Sequence, residues 1–252
     1  MAGSLAPVPK AGFVVRLRDW RWRGWSIRYG FAGSGSPPLV FVHGFGVNGG
    51  HWRHNWPFFA QQRRTYVVDL LGFGATEKPP LGLNTALWAA QLQGFAREVV
   101  GQPAVWVGNS VGSLASLRAI APDPEGACGW VALSIPDVGR LRQGIPSWLQ
   151  PWQQVLEGEV GALLAAPLLA LLRQPATIRR VLLGTVYGDK AAIAVDAELV
   201  ELIAKPARER RAARTLAYLC RGQARDATDA TALLQTLSSQ RPTLMLWGTR
   251  DR

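Results

Sequence analysis

The segment Ala104-Val-Trp-Val-Gly-Asn-Ser-Val-Gly-Ser113 constrains this chain more than any other. A short apolar run, Ala104–Val107, reads as a buried strand. It meets a glycine, turns within a few residues at Ser110, and passes Gly112 into the helical, apolar stretch Val111–Ile120. A strand that reverses this sharply into a helix crowds the turn, so small residues are needed two before and two after its apex. The residue at the apex is held out of the backbone, at the amino end of the helix, where developing negative charge is stabilised. The pattern Gly-x-Ser-x-Gly in this strand–helix setting makes Ser110 a candidate nucleophile. The alternative for Ser110 is an ordinary capping serine on a glycine-rich turn.

The rest of the chain supplies partners for that strand. Pro38–Val42, Thr65–Leu70, Trp130–Ile135 and Thr243–Trp247 are further runs with no polar face. Phe13–Arg18 and Trp25–Phe31 read as a hairpin around a polar turn. Runs apolar on both faces suit the interior of a parallel sheet covered by helices on both sides, and Trp88–Val100 and Val111–Ile120 alternate with the runs as such helices. The expected fold class is therefore α/β, with a mostly parallel central sheet.

Residues 136–240 break the rhythm with helical segments edged by prolines: Pro146–Leu156, Val160–Leu172, Pro175–Thr185, Asp196–Ile203 and Pro206–Arg221. An all-helical insertion between core strands predicts a cap over the carboxyl ends of the sheet. The expected division is core at 1–135, cap at 136–240 and core again at 241–252.

Two further motifs join Ser110. Phe41-Val-His-Gly-Phe-Gly46 ends a strand in a loop able to approach the nucleophile. The amides of Phe45 and Val111 would then form an oxyanion hole, and Gly44, Phe45 and Asn109 would touch substrate. Thr243-Leu-Met-Leu-Trp-Gly-Thr-Arg-Asp251 ends a strand near a carboxylate, which makes Asp251 the candidate orienting acid. His43 is read as ordering its loop rather than as a base, and His51 and His54 as packing or surface residues.

These motifs, with Asp69-Leu-Leu-Gly-Phe-Gly74 between them, resemble the α/β-hydrolase superfamily along essentially the whole chain. More narrowly, the chain resembles the pheophytinase and chlorophyll dephytylase-like group of plants and cyanobacteria. The similarities are Val40–Gly46 with His51-Trp52, Trp88 through Ser110, and the cap stretch from Gln174-Pro175 through Val186-Tyr187 and Val195-Asp196 to Pro206. The resemblance implies a serine hydrolase acting on a carboxylic ester, with the phytyl ester of a chlorophyll-type pigment as its substrate. It also implies that the dehalogenases and epoxide hydrolases of this fold are excluded, because they carry aspartate where Ser110 stands. C–C bond hydrolysis on the same residues, and a non-catalytic pocket, stay open as alternatives.

One departure matters. The family's catalytic histidine follows a further strand beyond the acid, and all three histidines here lie between positions 43 and 54. The expectation is that the last strand and helix are missing, and that Ser110, without a base, turns over little or no substrate.

Composition adds exclusions. Charged residues are 18% of the chain and hydrophobic ones 48%, which argues against disorder. The two cysteines form no metal or disulfide motif, and neither metal nor cofactor is expected. The N-terminus has no signal-like apolar run, and Val160–Leu172 is too short to span a membrane and contains Pro167. A cytoplasmic protein is expected. Lys and Arg total 28 against 17 acidic residues, a net charge of +11. No nucleic-acid motif accompanies the arginine-rich zones Arg16–Arg28 and Arg208–Arg225, so the expected partner is a small-molecule ester of bulky apolar character and not nucleic acid. The basic zones are a solvated surface or, alternatively, a site of peripheral attachment to an anionic membrane such as a thylakoid.

Overall fold

A computed structural model describes residues 15–136, 150–172, 174–183, 196–224 and 230–249. Seven strands form one sheet: β1 (Arg16–Trp22), β2 (Trp25–Ala32), β3 (Leu39–Val42), β4 (Thr65–Val68), β5 (Ala104–Asn109), β6 (Ala127–Leu133) and β7 (Thr243–Leu246). Their spatial order is β1-β2-β4-β3-β5-β6-β7. The β1/β2 and β2/β4 pairs are antiparallel, and every other pair is parallel. The α/β class and the mostly parallel sheet expected from the apolar runs are what the chain adopts.

Strand alternation divides the core into two layers. Val40, Val42, Tyr66, Val68, Trp106 and Trp130 face a large cluster completed by α2 (Thr85–Phe95) and α3 (Val111–Ile120). Phe41, Val67 and Val107 face the other way, onto Trp52 of a short 3₁₀ helix, Gly49–Trp52. Helix α1 (Trp56–Phe59) supplies Trp56 beside them. Asn84 caps α2 by accepting from the Leu87 amide at 3.0 Å, so α2 begins before Trp88. A π turn, Ala96–Val100, then carries it to Gly101, whose φ of +69° ends it.

The helices expected of the cap are present with different boundaries. Helix α4 is continuous over Gln150–Leu172, where two segments were expected. Gly158, within the apparent break, costs a helix only about 1 kcal/mol, and the packing of α4 along α7 (Ala212–Ala224) overrides it. Next comes α5 (Pro175–Val181), whose expected continuation to Thr185 falls outside the described residues. Asp196 caps α6 (Ala197–Ala207), accepting from the Leu199 amide at 2.8 Å. Pro206 lies in the last turn of α6 and does not open a helix reaching Arg221. Residues 208–211 form a turn instead, in which Arg208 and Glu209 donate to the carbonyls of Lys205 and Pro206. Pro206 has no N–H to donate to the carbonyl four residues earlier, a loss confined here to the final turn of a helix that ends at Ala207. Helix α8 (Ala230–Ser238) falls in the range expected for the cap, yet it packs on α3 and buries Leu237 in the main core.

Candidate active site

The turn between β5 and α3 has the conformation its glycines suggest. Ser110 sits at φ +52°, ψ −122°, backbone that non-glycine residues rarely adopt. Strain of this kind costs of order 1–3 kcal/mol and persists only where its surroundings enforce it. Here they do. The Ser110 amide donates to the Leu133 carbonyl of β6 at 2.9 Å, and its own carbonyl accepts from Ser113 at 2.9 Å. A Cβ at Gly108 would lie 2.5 Å from Ser113 Cα, and one at Gly112 would strike the His43 carbonyl. Both flanking glycines are therefore dictated by close approach.

The loop after β3 passes directly over this turn. A Cβ on Gly44 would be 2.7 Å from Asn109 Oδ1 and 3.4 Å from Ser110 Cβ. Gly46, at φ +74°, lets the chain turn away again. Between them Phe45 packs edge-on against Phe73, with ring centroids 5.6 Å apart. The Val111 amide is one of the orphan donors of a helix start. Neither it nor the Phe45 amide has a hydrogen-bond partner among the described residues. Gly44, Phe45, Asn109, Ser110 and Val111 are thus brought together, with two free donors beside one strained hydroxyl. Such an arrangement can receive the oxygen of a carbonyl under attack.

The histidines do not complete it. His43 is fully buried, and both its nitrogens are engaged: Nδ1 donates to the Gly44 carbonyl at 2.7 Å, and Nε2 accepts from the Leu70 amide at 3.0 Å. Burial lowers its pKa, so it is a neutral brace that ties the β3 loop to the β4 loop. His51 lies on the 3₁₀ helix. Burial, then the neighbouring His43 and Arg53, pushes its pKa down to about 4. His54 is exposed. Asp251 lies outside the described residues.

A support that sequence reading noted only as a motif is Asp69. Its two carboxylate oxygens accept from the amides of Gly49 and Ala75 at 2.7 and 2.9 Å. Its carbonyl accepts from Gln91 Nε2 at 3.0 Å, and Gln91 Oε1 accepts from Leu71 at 2.8 Å. This brace holds the loop carrying Phe73, and so the ring on which Phe45 rests. The signal was Asp69 directly after an apolar strand with Gly72 and Gly74 following. A Cβ at Gly74 would collide with the Asp69 carboxylate.

Between the β3 loop and the cap lies a pocket of about 110 Å³. Phe45, Phe73, Leu169, Ile203, Leu216 and Leu219 line it, and among the described residues Lys78 and Thr215 are its only polar side chains. Lys78 is itself paired with Glu209 at 2.8 Å.

Comparison with known proteins agrees with this geometry. The profile described as the alpha/beta hydrolase family matches residues 39–252. The chain belongs to that family. Among curated relatives, a dihydrolipoyllysine-residue acetyltransferase component of an acetoin cleaving system from Pseudomonas putida is 26% identical over 97% of this chain and 58% of its own. A pimeloyl-[acyl-carrier protein] methyl ester esterase from Edwardsiella ictaluri is 29% identical over 40% of this chain and 38% of its own. The chain thus spans less than two thirds of the length of these relatives. Among solved structures, a thermophilic esterase from Thermogutta terrifontis superposes with a TM-score of 0.66 at 19% identity, covering 94% of this chain and 80% of that one. At that identity the likeness speaks to fold alone, and the chain shares it with esterases and other hydrolases of the family.

Proposed function

We propose that the protein is a serine hydrolase cleaving a carboxylic ester of a bulky apolar substrate, with Ser110 as nucleophile and a general base that is none of the histidines at 43, 51 and 54. The observation that carries this reading is the strained Ser110, held against Gly44 with the Phe45 and Val111 amides unpaired. In this mechanism Ser110 Oγ attacks the ester carbonyl while its proton passes to the base. The oxyanion rests on the two amides, the alcohol leaves carrying that proton, and water then clears the acyl-enzyme. The apolar pocket beside Phe45 supports an apolar substrate, and a phytyl ester is the specific candidate. His43 is set aside as that base because both its nitrogens are engaged. Asp251 is assigned as the acid that orients that base.

The test compares the gene's full reading frame with the 252-residue chain on p-nitrophenyl esters of rising acyl length and on a phytylated pigment. The longer form should hydrolyse esters, and Ser110→Ala should lower its turnover by about 10³-fold or more. The 252-residue chain should be slower by a comparable factor and be partly rescued by added imidazole, with no rescue in Ser110→Ala. A longer form that is inert, or whose activity survives Ser110→Ala, refutes the hydrolase reading and leaves a binding pocket in its place.

A further inference from the structure

Among the described residues, helix α4 is apolar on the side away from α7 as well as on the side that meets it. From Val160 to Leu171 its sequence holds no charged or polar side chain. One side packs on α7: Ala165 and Leu169 are buried, and Gly161 approaches Cys220 so closely that a Cβ would lie 3.0 Å from Cys220 Cβ. The other side presents Val160, Leu163, Leu164, Leu168 and Leu171 to solvent, with Leu163 79% exposed. These positions are three, four, eight and eleven residues from the first, so they form a single stripe. A helix apolar all round is normally covered by protein or by lipid.

Exposed arginines lie on the two helices that adjoin α4, and Glu159, directly before the stripe, is paired with Arg221. Arg179 and Arg180 are exposed in the last turn of α5, which follows α4 in sequence. Arg210, Arg211 and Arg214 are exposed at the start of α7, and Leu169 of α4 clusters with Ala212 there. None of these five arginines makes an ion pair among the described residues, whereas Arg28, Arg53, Arg208, Arg221 and Arg241 all do. An apolar stripe beside unpaired arginines is the composition of a helix that lies in a membrane interface and is drawn to anionic headgroups. The twelve apolar residues extend roughly 18 Å, short of the ~30 Å hydrocarbon core, which fits lying in the surface and not crossing it.

We infer that the α4 stripe docks the protein on an anionic lipid bilayer, with Arg179, Arg180, Arg210, Arg211 and Arg214 meeting the headgroups. The position gives the docking a use. Leu169, on the inner side of this helix, lines the pocket beside Phe45, so a lipid-soluble ester leaving the bilayer has only the thickness of α4 to pass. This use rests on the esterase reading above. The docking does not, and its readout is vesicle binding, so either can fail without the other.

The experiment is flotation of the 252-residue chain with vesicles of phosphatidylcholine alone and with roughly 30% phosphatidylglycerol, at low and high salt. The chain should bind the anionic vesicles. Leu163→Gln/Leu164→Gln should weaken that binding by about tenfold or more at every salt concentration. Arg179→Gln/Arg180→Gln should weaken it several-fold at low salt and little at high salt. Leu17→Gln, at an exposed leucine on β1, should leave it unchanged. If the double leucine variant does not fold, Leu163→Gln alone carries the same test. Absent binding to anionic vesicles, or binding indifferent to the leucine substitutions, overturns the inference. So does a dimer that Leu163→Gln/Leu164→Gln dissolves while vesicle binding persists, which would assign the stripe to a second copy of the chain.

Discussion

The turn at Ser110 and the helix α4 are built on opposite principles. Around Ser110 every neighbour is fixed by close approach: Gly108 by Ser113, Gly112 by His43, Gly44 by Asn109, and the backbone strain is stored there. All of α3 except Arg118 is buried. Helix α4 is held along one side only and shows leucines on the other. The turn tolerates almost no change of shape, whereas the cap helix tolerates change but leaves apolar surface unaccounted for within the fold. The first is what preorganised chemistry requires, and the second is what a surface made for another phase requires.

Several substitutions probe this contrast. Trp106→Ala, at a ring 1% exposed, should cost about 3–5 kcal/mol by urea unfolding, and Leu163→Ala less than about 0.5 kcal/mol. Equal costs would mean that the cap helix is as tightly embedded as the sheet. Low pH should strike the core side as well. His51 titrates at about 4 in the folded chain and near 6.5 when unfolded. Between those values the unfolded chain binds the extra proton, so stability present above pH 6.5 is lost as pH falls towards 4. The loss is on the order of 3 kcal/mol at the lower end. His51→Asn should flatten that slope, and an unchanged pH profile would remove His51 as its cause. Arg53 pairs with Asp196 and, at 3.1 Å, with Glu198, joining the core to the start of α6. Arg53→Met should cost about 1–3 kcal/mol and raise amide exchange in α6 ahead of the sheet. With the opposite sign, Ser110→Gly should gain about 1 kcal/mol by releasing the positive φ, while ending any activity.

How well each region could be read from sequence follows the same contrast. The interior strands are apolar on both faces because both faces are buried, so Val40–Val42 and Thr65–Val68 announced themselves. Gly108, Ser110 and Gly112 were legible because steric crowding leaves few residue types that fit. The cap was not legible to the residue. Pro206 looks like a helix start, yet it lies inside α6, and Gly158 interrupts nothing. Those boundaries depend on packing against α7 and on the Lys78–Glu209 and Arg53–Asp196 pairs, between residues distant in sequence. The role of Asp69 was missed for a related reason. Its partners are backbone amides, which carry no residue-type signature.

Helix α7 runs from a fixed point to a fastened one. Near its carboxyl end Gly222 lies so close to the Leu83 backbone that no side chain fits between them. There Gln223 Nε2 also donates to the Leu83 carbonyl at 3.1 Å. Just before its other end, Glu209 grips Lys78 at the pocket wall. The helix is thus fastened on both sides of the pocket by two different kinds of contact, a backbone approach at Leu83 and an ion pair at Lys78, roughly 20 Å apart along its axis. Only the second is sensitive to dissolved salt: raising the ionic strength should weaken the Lys78–Glu209 pair and speed amide exchange at residues 208–211, and Lys78→Gln should remove that salt dependence.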